Sequence, residues 1–66
     1  MRKLECIKGM VDSSNTNVVL LQGDILKVIE VNEGEVLLEG LDGWCEGFEL
    51  CFTPKQIVEH FKVKLD

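Results

Sequence analysis

The sequence predicts an all-β fold, a small five-stranded barrel with one short helical turn before its last strand. Three observations carry that reading. Apolar residues recur at a period of two along most of the chain, and the runs break at Gly, Asn and Asp. Gly23-Asp24 is followed at once by Ile25-Leu26-Lys27-Val28-Ile29-Glu30-Val31, a branched run suited to a central strand. Only Thr53 to His60 departs from that period, and it opens with a Thr-Pro helix start.

The elements follow in order. Lys3 to Met10 alternates weakly, with Leu4, Cys6 and Met10 on one face, and reads as a first strand. Asp12-Ser13-Ser14-Asn15-Thr16-Asn17 is polar throughout and has no apolar anchor, so it reads as a mobile loop. Val18-Val19-Leu20-Leu21 is a short apolar extended segment leading into the Gly-Asp turn. Asp24 to Val31 carries Ile25, Ile29 and Val31 on one face and Leu26 and Val28 on the other. That predicts burial on both sides, or a strongly bent strand. Asn32-Glu33-Gly34 is a tight turn, because Asn and Gly tolerate positive φ. Glu35 to Gly40 is the next strand. Asp42-Gly43 signals a hairpin into Trp44 to Phe52, read as one alternating strand with Gly47 at a bulge or bend. Thr53 caps a helical turn packed through Ile57 and Val58. Phe61 to Leu65 closes the fold, with Phe61, Val63 and Leu65 inward and Lys62 and Lys64 outward, where lysine protects a sheet edge.

This order of strands, long loop and helical turn resembles the SH3-like barrel. Gln22-Gly23-Asp24-Ile25-Leu26-Lys27-Val28-Ile29-Glu30 is similar to the Gly-Asp start of that fold's second strand. Thr53-Pro54 to Val58 is similar to its turn before the final strand, and Val11 to Leu21 takes the place of its first long loop. The proline-rich-peptide groove of the SH3 family does not carry over. That groove is built from Tyr and Trp side chains, and this chain has no Tyr and a single Trp44, placed after the Asp-Gly turn. A similar Gly-Asp segment occurs in RNA-contacting barrel modules, but the acidic middle of this chain counts against that version. Small acidic stand-alone domains of this style resemble accessory proteins of bacteria or phages.

Composition narrows the function further. Sixty-six residues allow one domain, residues 1–66, with a thin core and no room for a large internal cavity. The net charge is −5, with 12 Asp plus Glu against 7 Lys plus Arg. Nucleic acid is therefore an unfavoured partner. Asp24 to Glu49 holds eight acids and one lysine, while the other cations lie toward the ends, so pairing of the terminal strands would create a basic seam and an acidic flank. No signal peptide or membrane-length apolar run is present, and three cysteines fit a reducing compartment, so a cytoplasmic location is expected.

Candidate sites are few. Cys6, Cys45, Cys51 and His60 lack the close pairing of zinc ligands, and Cys45 and Cys51 on one straight strand would stand about 20 Å apart. The cysteines are read as small core or half-buried residues. No catalytic, cofactor or metal site is assigned. The carboxylates read as a solvated flank, and a pocketless domain offers little means of raising a carboxyl pKa. Phe48 and Phe52 are read as core. Trp44, beside a turn, is either core or an exposed anchor. Partner-binding residues are accordingly expected at Trp44, Glu46, Glu35 and Glu39.

The function expected from these features is a non-catalytic protein-interaction or assembly module with an unidentified protein partner. Two alternatives are an acidic inhibitor that occupies a nucleic-acid site on another protein, and a weak nucleic-acid binder using the terminal lysines. Association with no membrane is expected. Self-association through an edge strand is also open, with Val18-Val19-Leu20-Leu21 as an exposed apolar segment.

Overall fold

In chain order the strands are β1 (Lys3–Cys6), β2 (Met10–Asp12), β3 (Val18–Leu20), β4 (Ile25–Asn32) and β5 (Glu35–Gly40), followed by the 3-10 turn η1 (Gly43–Cys45), β6 (Glu49–Phe52), the helix α1 (Pro54–His60) and β7 (Phe61–Val63). The computed structural model describes residues 2–12 and 18–64. Residues 13–17, expected as a mobile loop, and Leu65, expected to point inward, lie outside the described residues.

The all-β class holds, but the closed five-stranded barrel does not. Five strands form one antiparallel sheet in the order β6-β5-β4-β1-β7, and β2 and β3 pair separately as a hairpin. No ladder among the described residues joins the edges β6 and β7. The terminal strands do pair, with Leu4 opposite Val63 and Cys6 opposite Phe61, which is the condition set for a basic seam.

The predicted first strand divides in two. Leu4 and Cys6 are buried, but at Ile7 the chain leaves the β4 ladder. The Ile7 and Lys8 N–H groups instead donate to the His60 carbonyl at the end of α1. Beyond Gly9 the chain continues as β2, and β3 brings Val18 and Leu20 back over the core at 5 % and 0 % exposure. Val18 and Leu20 are therefore not an exposed association surface, as the sequence reading had it. Their apolar faces are consumed by the fold.

The core lies between the inner face of the five-stranded sheet and the elements laid across it. Leu4, Leu26, Leu38, Leu50, Phe52 and Phe61 come from the sheet, with Val18 and Leu20 from the hairpin. Phe52 and Phe61 meet edge to face at 5.3 Å between ring centroids, a geometry aromatic pairs favour. No polar side chain among the described residues is buried.

Two-sided burial of β4 is overturned. Register between β4 and β5 shifts between Val28 and Glu30, leaving Ile29 as the extra residue of a bulge. Leu26 is fully buried and Val28 packs on the core, whereas Ile29 and Val31 are 42 % and 68 % exposed. Ile29 lies on the outer face, which no second layer covers because the helix packs elsewhere, against β5, β6 and β7. The register returns Val31 to the face of Val36 and Phe52, where it is exposed near the far end of β4.

Expected local signals succeed where they are self-contained. Gly34 takes φ 80 in the β4–β5 turn. Thr53 and Gln56 form a reciprocal capping box: the Gln56 N–H donates to Thr53 Oγ1 at 3.2 Å, and the Thr53 N–H donates to Gln56 Oε1 at 3.0 Å. Ile57 packs on the core, but Val58 is 80 % exposed because it faces away from the sheet. Val63, expected inward, is also exposed. It shares the Leu4 face but stands at the outer edge of the last strand, past the reach of the core.

Candidate functional site

The site is built on the loop between β5 and β6. Asp42-Gly43 does not make a two-residue hairpin. The loop runs from Leu41 to Phe48 and contains η1. What prevents a tight turn is a set of backbone anchors. The Gly47 N–H donates to the Gly40 carbonyl and the Gly40 N–H to the Phe48 carbonyl, each at 3.0 Å, which seats the loop on the end of β5. Cys45 turns inward and is fully buried. Its thiol donates to the Asp42 carbonyl at 3.2 Å, and burial pushes its pKa up to about 11.

Gly40 makes this possible. A Cβ there would lie 2.5 Å from the Cys45 carbonyl carbon and 2.7 Å from its sulfur, and would also strike the Cys45 carbonyl oxygen. Only a residue without a side chain lets η1 fold back so closely onto the strand.

The same loop is stapled to the Gly23-Asp24 turn. The Leu41 N–H donates to the Ile25 carbonyl, and Asp42 Oδ1 accepts from the Ile25 N–H, both at 2.9 Å. Asp24 also presses on Gly43, where a Cβ would sit 2.5 Å from Oδ1. The Gly-Asp segment that marks the fold in the sequence is thus the buttress of the site, and η1 packs against β3 as well.

The consequence is a group of exposed apolar side chains on connected loops at one end of the sheet. Trp44 is 73 % exposed, with Leu21 at 48 %, Phe48 at 44 % and Leu41 at 37 %. Phe48 is a correction: it was expected in the core, because Trp44 to Phe52 was read as one strand. Only Glu49–Phe52 is strand, and of the aromatics in that segment only Phe52 is buried. The break also parts the cysteines, since Cys6 and Cys45 are buried and Cys51 is exposed rather than half-buried. Among the described residues no three His, Cys, Asp or Glu side chains are placed to hold a metal ion.

The four expected partner-binding residues fall in three places. Trp44 and Glu46 share the η1 loop, and both are exposed. Glu39 lies on the outer face of the sheet, beside Glu49 on β6, and pairs with Lys27 at 2.9 Å. Glu35 is exposed at the far end of β5 opposite Asn32, about 17 Å from the loop by strand rise. Sequence reasoning missed Leu21, Leu41 and Phe48 as exposed apolar residues on the loops joined to that of Trp44. Leu21 carries no local signal, because the staple joins segments some twenty residues apart, whereas Leu41 and Phe48 were hidden by reading Trp44 to Phe52 as one strand.

The loop is acidic as well as apolar. Asp42, Glu46 and Glu49 lie in residues 41–52, a stretch with no Lys or Arg. No helix among the described residues is long and apolar enough to cross a membrane. Comparison of the chain with protein families, with characterised proteins and with solved structures finds no match.

Proposed function

We propose that this chain is an SH3-like domain acting as a non-catalytic interaction or assembly module, and that it docks a cationic, apolar-anchored segment of a partner protein on the η1 loop. The observation that carries the reading is Trp44. A chain this short needs large apolar side chains for its core, yet its one Trp stands 73 % exposed on a loop held in place by four hydrogen bonds, Gly47 to Gly40, Gly40 to Phe48, Leu41 to Ile25 and Ile25 to Asp42. Exposed Trp on a rigid support is the residue type that most often dominates binding energy. Leu21, Leu41 and Phe48 extend the apolar surface, and Asp42 and Glu46 supply charge for a ligand carrying Lys or Arg.

The SH3-like assignment is supported by the strand order, in which the first strand lies between β4 and the last strand and three strands follow as a meander. A binding role is favoured over catalysis by the chemistry of the side chains. The described residues bury no polar side chain, and the two buried thiols are held toward their neutral form. The acidic-inhibitor alternative is weaker. Its carboxylates are divided among the η1 loop, the sheet face and the β4–β5 turn, with Lys27 set between them.

Trp44 is also the reporter for the test. A peptide library is selected against the protein, and the selected peptides are titrated while Trp44 emission is followed. Ligands with an apolar anchor flanked by Lys or Arg should shift the emission to shorter wavelength, and Trp44→Ala protein should not retain them. Selection of acidic peptides, or equal retention by Trp44→Ala, refutes the reading.

A further inference from the structure

The outer face of the five-stranded sheet, away from the η1 loop, carries a graded row of charge. Register places Glu49 of β6 beside Glu39 of β5, Glu39 beside Lys27 of β4, and Lys27 beside Lys3 of β1. Lys64, whose N–H donates to the Lys3 carbonyl at 3.0 Å, extends the row next to β7. The order across the sheet is acid, acid, base, base, base. Neighbouring strands lie about 4.8 Å apart, so the row runs for about 19 Å.

Each half also has a groove. On the acidic side an open groove of about 330 Å³ is lined by Lys27, Val28, Ile29, Glu39 and Glu49. On the basic side one of about 370 Å³ is lined by Glu5, Lys62, Val63 and Lys64. Ile29, the bulge residue of β4, stands exposed in the first.

A row that changes sign from one end to the other is complementary to itself. Rotation by 180° about an axis along β4 lays its acidic end over the basic end of a second copy. We infer that this face pairs with the same face of a second copy, as a two-fold dimer in which Glu49 of each copy meets Lys64 of the other. A two-fold interface makes every contact twice. A uniform polyanion would satisfy only the basic half and would be repelled by the acidic half, and a uniform polycation the reverse. A second copy satisfies both ends, and the two Lys27 side chains that meet on the axis each keep Glu39 of their own copy at 2.9 Å.

The test is sedimentation velocity of the intact chain across a concentration series, at about 0.02 M and about 0.5 M salt, where screening is weak and strong respectively. The expected result is a concentration-dependent dimer at low salt that dissociates at high salt. Lys64→Glu and Glu49→Lys should each be monomeric, because each variant faces two like-charge contacts. An equimolar mixture of the two should restore a dimer containing one of each. Trp44→Ala should dimerise like wild type, which separates this inference from the docking role of the η1 loop. A wild-type monomer at low salt overturns the proposal without reference to any variant. Variants that dimerise alone, or a mixture that stays monomeric while both proteins are folded by circular dichroism, overturn it equally. Monomeric wild type retained on single-stranded DNA, with retention lost in Lys64→Glu, would assign the basic half to a polyanion instead.

Discussion

Gly40→Ala is the substitution that most directly probes how the candidate site is held. In a strand, Gly to Ala ordinarily stabilises by about 0.5–1 kcal/mol, because Gly loses more backbone freedom on folding. Here the added Cβ would stand 2.5 Å from the Cys45 carbonyl carbon and 2.7 Å from its sulfur. Ordinary contacts begin near 3.4 Å, so η1 must move outward by about 1 Å. That movement loosens the Gly47-to-Gly40 and Gly40-to-Phe48 hydrogen bonds, each 3.0 Å, and lifts Cys45 from a site where it is fully buried. Two hydrogen bonds weakened at about 1 kcal/mol each, with about 1–3 kcal/mol for overpacking, give a cost of about 3 kcal/mol or more. For a domain of this size that lowers the melting temperature by about 12–24 °C. Thermal unfolding by circular dichroism measures it, with Trp44 emission as a local probe of the loop. Gly34→Ala is the control. Gly34 has φ +80 and nothing within 4 Å, so it should lose only about 1–2 kcal/mol of left-handed strain. A Gly40→Ala protein that melts within about 3 °C of wild type, with unchanged emission, would refute the close-approach argument.

Other expectations follow from the same structure. Trp44→Ala should change stability by no more than about 0.5 kcal/mol, as exposed substitutions do, while weakening the selected peptide by about 2 kcal/mol or more in a fluorescence-anisotropy titration. A large loss of melting temperature would contradict its placement. Thr53→Ala removes one arm of the capping box and should cost about 1 kcal/mol in urea unfolding, with a much smaller loss placing the helix start elsewhere. Cys45 and Cys6 both have thiol pKa values raised by burial above an ordinary value of 9.0, Cys45 to about 11. Between those values the folded chain holds protons that the unfolded chain has released. Stability should therefore be fully present below pH 9.0 and fall as pH rises toward about 11, and a flat urea midpoint across that interval would refute it. At neutral pH a thiol reagent should modify Cys51 rapidly and the two buried thiols only on unfolding.

The readings that succeeded were those completed within a few residues. The Thr53–Gln56 capping box, the Gly34 turn and the alternation of Glu35–Gly40 each depend on neighbours in sequence. Those that failed depended on where the chain stops being covered. Phe48 and Phe52 have the same period and the same chemistry, yet only Phe52 lies under α1 and opposite Phe61. Val58 and Val63 alternate correctly but stand where no second layer reaches. Gly40 gave no sign at all in the sequence, because its reason is the approach of Cys45 from five residues on, through a loop that periodicity read as strand.

By itself the sequence determined the strand class, the acidic middle and more basic ends, and the start of the helix, since these follow from local propensity, composition and capping. Only the tertiary structure decided that the sheet stays open, that Trp44 and Phe48 are surface, and that Asp42 ties two distant turns together. Each of those depends on contacts between segments far apart in the chain, which alternation along one strand cannot encode.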